Sequence, residues 1–341
     1  VINPYRAGGP LSEALLVGRD HELRELADLV RAGQSVSVVG PPGIGKSWLL
    51  QALPLAGGLG GDTLLVRVDC GGLAGCGAAE AFGRLAARTA GALVEQSLPD
   101  EPAVHAAVAQ PARLSFETAV RALNRRGLSL ALILDSFERL SANPLLDVSF
   151  FNALRSAAGR LGLLFVTASA RPLIELTFAG RAQEIRSSPF FNIFAPLSLG
   201  LLPEAAARRL IREPPARAGR PFSPATEALV HELAGNHPLA LQVACSHAWD
   251  QGDNRDELER RTLGALAGTF AAHWRELSPP ERAGLIRVDE LAARAMGDAE
   301  ARQTLRDLVQ QCLLVPTAAG YAYQSTAWAW FVSALAAPAG E

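Results

Sequence analysis

The chain has 341 residues, 49% hydrophobic and 19% charged, with a formal net charge of -2. This balance excludes a disordered chain, and the slight negative charge supplies no global field toward nucleic acid or an anionic membrane, so contact with either would need a local patch; nucleic acid is disfavoured as a partner and a membrane is not expected. No apolar run approaches the ~20 residues that span a bilayer, and the opening VINPYRAGGP lacks a signal-peptide layout, so the cytoplasm is the expected compartment. The chain opens at Val1 and holds a single methionine, Met296, which reads as a start inside a longer protein. Its four cysteines form no C-x-x-C pair and read as small apolar thiols. Lys46 is the only lysine, every other basic side chain of this type being arginine.

In chain order, Val17-Gly18-Arg19-Asp20 precedes HELRELADLV, where Asp20 is placed to cap a helix whose Leu23, Leu26 and Val30 share one face. Ser35 to Val39, SVSVV, reads as a short buried strand. It runs into Gly40-Pro41-Pro42-Gly43-Ile44-Gly45-Lys46-Ser47 and then the apolar-periodic WLLQAL that starts at Trp48. Strand, glycine loop and helix are the context that G-x-x-x-x-G-K-[ST] requires, because the glycines let backbone N–H groups close around phosphate oxygens. Lys46 then serves as a compact point charge on the β- and γ-phosphates, a role that the wider guanidinium does not fill equivalently. The pattern implies a bound nucleoside triphosphate, ATP being favoured, with Mg²⁺.

Ser47 is placed to offer its hydroxyl to Mg²⁺, and the second anchor is Asp135, which ends the apolar run LSLALIL. The alternative for Asp135 is an ordinary helix cap before SFERL. Glu138, three residues on, is a candidate to orient the attacking water or else a surface carboxylate on that turn. Further apolar runs at 64–68 and 163–167 alternate with helical segments and predict a parallel three-layer α/β sheet with ligand at the C-terminal strand edge. The stretch from Gly71 to Ala92 is rich in glycine and alanine and receives no function.

After Gly200 the strands stop. A helix follows Pro203, Ser223-Pro224 starts a second, and Gly235-Asn236-His237-Pro238 opens LALQVACSHAW. QGDNRD, residues 251–256, reads as a linker. Leu277 to Glu281 carries a capping box, a helix runs near 300–311, and LLVPTAAGYAYQS reads as a hairpin turned near Gly320, together suggesting a winged helix.

VGRDHEL, GPPGIGKS, LILDSFERL, FVTASARPL and GNHPLALQ, in this order, resemble the nucleotide-binding module of STAND ATPases, similar to NACHT and NB-ARC switches and near archaeal-type AAA+ ATPases. The resemblance implies a P-loop NTPase core at 14–200, a helical lid at 201–250 and a winged-helix domain at 256–338. It implies that Val17, Gly18 and Arg19 border adenine and ribose and that Pro238 packs near the base. His237 either senses phosphate or is a helix-start histidine with a satisfied ring. The family's γ-phosphate arginine aligns with Ala170, leaving Arg171 one residue late with Thr167 and Ser169 nearby, and Ser136 stands where the family has a second acid. The resemblance further implies an ATP/ADP switch with slow hydrolysis, nucleotide-controlled closure and self-association, effector and sensor domains outside this stretch, and a role in bacterial defence or signalling. The rivals are a DNA-loading AAA+ ATPase and a scaffold that holds nucleotide without turnover.

Overall fold

A computed structural model of the chain describes residues 2–5, 17–59, 61–178, 189–252 and 254–336. The ends of the expected domains at 14–16 and 337–338 lie outside the described residues. The chain divides into two compact units, one made of His21–Gly40 and Lys46–Ser198, the other of Val1–Asp20, Pro41–Gly45 and Leu199–Glu341.

The first unit is a sheet layered with helices. Its elements are α1 (Asp20–Arg31), β1 (Ser35–Val39), α2 (Lys46–Ala52), β2 (Thr63–Asp69), α3 (Ala78–Glu95), α4 (Pro102–Ala109), α5 (Arg113–Arg125), β3 (Ser129–Asp135), α6 (Phe137–Ser141), α7 (Val148–Leu161), β4 (Leu164–Ser169), α8 (Leu173–Phe178) and β5 (Phe194–Ser198). The strands run in the order β2-β3-β4-β1-β5 and every pairing is parallel. Alternation sorts the side chains. Leu64, Val66 and Val68 of β2 and Leu130, Leu132 and Leu134 of β3 join α3, α5 and α7 in one core, so Leu65, Arg67, Asp69, Ile133 and Asp135 face the other side. Four of the five strands fall on apolar runs of the sequence. The fifth, FAPLS, does not, because Pro196 argues against a strand interior; as the sheet's edge, β5 tolerates it in register with Ser37.

The opposite edge, β2, is closed by side chains. Gln96 donates to Leu65 O at 2.7 Å and accepts from Leu65 N at 3.3 Å, and Arg88 donates to Arg67 O at 3.0 Å. These bonds occupy edge groups that would otherwise pair with a foreign strand. The segment left without a function is built from the turn Cys70–Leu73 and the long helix α3, whose Phe82 and Leu85 sit in the core.

The second unit contains α9 (Glu204–Arg217), α10 (Pro224–Ala234), α11 (Pro238–Gln251), α12 (Arg255–Glu276), α13 (Pro279–Ile286), α14 (Val288–Ala295), α15 (Ala299–Gln310), the antiparallel pair β6 (Leu314–Thr317) and β7 (Gly320–Tyr323), and α16 (Thr326–Ala336). The caps read from sequence are in place: Ser223 accepts from Thr226 N with Pro224 at the first turn, and Ser278 and Glu281 form a reciprocal capping box. The expected linker at 251–256 is shorter than its polarity suggests. Helix α11 reaches Gln251, and Asn254 caps α12 through Glu257 N. Short polar residues that mark a loop are also those that start a helix. Asp20 shows the same shift, being the first helical residue of α1 rather than its cap.

Candidate functional site

The stretch from Gly40 to Ser47 joins β1 to α2 without a break, as the glycine pattern requires. Gly43 and Gly45 take φ of +75° and +102°, conformations that favour glycine strongly. Gly40 N donates to Ser169 O at 3.2 Å, carrying the β1–β4 pairing one residue into the loop, and Ile44 N reaches Pro41 O at 3.4 Å. The Lys46 ammonium donates to Gly40 O at 2.6 Å. Lysine, charged and flexible, is thus held at the loop it would serve. Ser47 and Trp48 follow in the first turn of α2, which packs against β3 and β4.

Asp135 ends β3 in register with Asp69 of β2. Its Oδ1 accepts Ser136 N at 2.9 Å, and Ser136 adopts φ 57°, ψ 50°, left-handed geometry that a residue with a Cβ takes only at a cost. The cap of α6 is therefore Ser136, not Asp135. Glu138 lies in the first turn of α6, where its Oε2 is buried with no hydrogen-bond partner among the described residues. Asp69, Asp135 and Glu138 form no ion pair among the described residues. Their joint field is visible at Cys70: burial pushes its thiol far up, and Asp135, Asp69 and Glu138 push it further. A cleft of about 890 Å³ opens beside Asp135, bounded by Leu65, Arg67, Asp69, Ile133 and Pro54.

These residues fit magnesium. The available donors are a serine hydroxyl and carboxylates, hard oxygens suited to that ion, and Glu138 Oε2 is a buried acceptor with no hydrogen-bond partner among the described residues. Beyond β4, Ser169 Oγ donates to Arg171 O at 2.7 Å, and Arg171 is half-buried. Thr167 is fully buried beside Ser37 in register, and neither hydroxyl finds a partner among the described residues.

The other predicted residues lie in the second unit. Val17 is buried, and Gly18 has φ +79° with an added Cβ meeting Ala206 Cβ at 2.3 Å, so only glycine fits there. Arg19, 5% exposed, donates to Ile44 O at 3.0 Å and to Gly200 O at 2.5 Å. His237 caps α11 by accepting Ala240 N on Nδ1 at 3.4 Å, and its Nε2 lies 3.2 Å from Pro42 O. Pro238 is the buried first residue of that helix.

A family model described as novel STAND NTPase 2 matches residues 81–283, more than half of the chain. The chain belongs to this STAND NTPase family. The match starts beyond the phosphate loop, so loop and family model are independent observations pointing the same way. No curated protein matches. Among solved structures, this STAND NTPase is similar to a Walker-type ATPase of Pyrococcus abyssi, at a TM-score of 0.71 and 15% identity over 97% of this chain and 99% of that one. It is also similar to the Aeropyrum pernix ORC2 protein in ADPNP-ADP complexes, at 0.59 and 14% over 98% and 97%, and in an ADP form, at 0.57 and 15% over 98% of each. At such identities the likeness establishes the fold, a parallel-sheet P-loop NTPase. No helix among the described residues is long and apolar enough to cross a membrane.

Two contributors to the site were not read from this STAND NTPase's sequence. Asp69 had a signal, since it ends the run 64–68 as Asp135 ends its own. The amide of Leu239, which donates to Gly43 O at 3.3 Å, had none, because a backbone group carries no letter.

Proposed function

We propose that this protein is an ATP/ADP-binding switch of the STAND type, with Mg²⁺ as cofactor and slow hydrolysis. The observation that carries the reading is the glycine loop continuous with β1 and α2, with the chain's one lysine turned back onto the loop at Gly40 O. In this reading the loop's N–H groups and Lys46 bind the β- and γ-phosphates. Ser47 and Asp135 hold the metal, which supplies neutralisation of phosphate charge when bound. Glu138 accepts a hydrogen bond from the attacking water at its unpartnered Oε2, Arg171 answers the γ-phosphate, and Trp48 flanks the phosphates. Val17, Gly18, Arg19 and Pro238 border the nucleoside. Ser136 offers no carboxylate next to Asp135, which supports slow turnover, as a switch requires.

The domains proposed are a core to residue 200, a lid at 201–250 and a winged helix from 256, with nucleotide state governing closure and self-association. A signalling or defence role belongs to this proposal as an analogy of family. The helices α13–α15 followed by the β6–β7 hairpin also favour a second reading, DNA contact through that winged helix. Arg287 and Arg294 there are paired with Glu290 and Asp298, which leaves less charge for phosphates.

The decisive experiment denatures the purified protein, identifies released nucleotide by chromatography, and compares phosphate release with Lys46→Ala. Bound adenine nucleotide that disappears with Lys46→Ala supports the reading, and absence of any nucleotide binding overturns it. Duplex-DNA binding that weakens steeply with salt would move the weight to the second reading.

A further inference from the structure

Three consecutive carbonyls of the phosphate loop are each taken by a donor of the second unit. Pro42 O faces His237 Nε2 at 3.2 Å, Gly43 O accepts Leu239 N at 3.3 Å, and Ile44 O accepts the Arg19 guanidinium at 3.0 Å. The donors come from separate parts of the chain, one before α1 and two at the start of α11.

The tautomer of His237 follows from its two contacts. Nδ1 accepts the Ala240 amide as helix cap, so the ring proton is on Nε2 and is donated to Pro42 O. Leu239 N is one of the first-turn amides that a helix cannot satisfy internally, and Gly43 O satisfies it. The fit is close: a Cβ at Gly43 would stand 2.9 Å from His237 Cε1 and 2.9 Å from Leu239 Cδ2.

In a planar trans peptide the C=O and the following N–H point in opposite directions. Turning Pro42 O onto His237 therefore turns Gly43 N–H away from α11, and turning Ile44 O onto Arg19 turns Gly45 N–H away from that guanidinium. These are the amides that a phosphate-binding loop needs on its inner side.

We infer that His237, Leu239 N and Arg19 form an outer clamp that presets the phosphate loop, with His237 a positioning residue that holds the Pro42–Gly43 peptide plane without touching phosphate. This inference rests on the nucleotide-binding reading and deepens it. The clamp makes affinity depend on whether α11 is seated on the loop, and by linkage a nucleotide that prefers the clamped loop keeps α11 seated.

Two substitutions separate positioning from helix capping. His237→Asn keeps a good cap but is too short to reach Pro42 O, whereas His237→Gln sets an amide N–H near the Nε2 position and loses the cap. Affinity for a fluorescent ADP and hydrogen exchange of the Gly43–Gly45 amides without nucleotide are measured on the intact chain. His237→Asn is expected to weaken ADP binding up to roughly tenfold and speed loop exchange, the scale of one hydrogen bond, with thermal stability near the unmodified protein's. His237→Gln is expected to restore affinity at lower stability. Affinity unchanged in His237→Asn, or no recovery in His237→Gln, overturns the clamp while leaving nucleotide binding intact. Failure of the unmodified protein to bind ADP overturns the underlying reading and the clamp together.

Discussion

The sheet unit handles acidic side chains in two opposite ways. On α5, Glu117 is 3% exposed at its side chain and is met by Arg113 at 2.7 Å, Arg121 at 3.1 Å and Arg160 at 3.1 Å. At the ends of β2 and β3, Asp69, Asp135 and Glu138 gather around Cys70 with no ion pair among the described residues. The first cluster is neutralised within the protein and is structural. The second consists of hard oxygen donors that form no ion pair among the described residues, which is what the proposed metal-binding role would draw on.

Substitution at each cluster can break or sharpen this contrast. The largest effect is expected from Glu117→Gln, which leaves three arginines facing a neutral amide and lowers stability by about 2 kcal/mol, screened because the arginines are half exposed, while ADP affinity stays unchanged. The pH dependence has a defined sign. Burial raises the Glu117 carboxyl, but hydrogen bonds from Arg113 and Arg160 outweigh it and hold the group below the usual carboxylate range. Its contribution is present above the unfolded value of about 4.3 and is lost as pH falls through the folded value. Urea unfolding should therefore separate the two proteins fully at pH 7 and less and less below pH ~4. Equal stability at pH 7 would end the structural assignment of Glu117.

Asp135→Asn should act in reverse. Removing a carboxylate that forms no ion pair among the described residues leaves the nucleotide-free protein about as stable, while the tightening of ATP binding by Mg²⁺ falls at least about tenfold, or about 1.4 kcal/mol. Calorimetric titration with and without EDTA measures it, and a Mg²⁺ response like that of the unmodified protein would remove Asp135 from the metal site. The smallest effect is expected at Ser136→Gly, which relieves the left-handed backbone beside the acidic cluster and raises stability by about 0.5–1 kcal/mol, read from the thermal midpoint. A fall in that midpoint would mean that the serine side chain holds the turn.

Most of the sheet was legible, because β1 to β4 are buried apolar runs, and so was the loop, because its glycines, Lys46 and Ser47 are adjacent in sequence and dictate one another's geometry. Local rules were weaker at ambiguous letters. Pro196 hid an edge strand, and the polar residues around Asn254 read as a linker when they cap a 22-residue helix. His237 stood as a phosphate sensor by resemblance or as a helix-start histidine with a satisfied ring; in the structure the ring caps α11 and faces Pro42 O.

The sequence by itself determined that a phosphate-binding loop joins a buried strand to a helix and that an aspartate ends another strand, since each is a short-range pattern enforced by backbone sterics and burial. Tertiary structure alone decided that Asp69 stands level with Asp135, that Glu138 Oε2 is buried with no hydrogen-bond partner among the described residues, and that the carbonyls of Pro42, Gly43 and Ile44 are held by His237, Leu239 and Arg19. Those facts depend on strand register and on contacts between residues up to 195 positions apart, which local propensity does not encode.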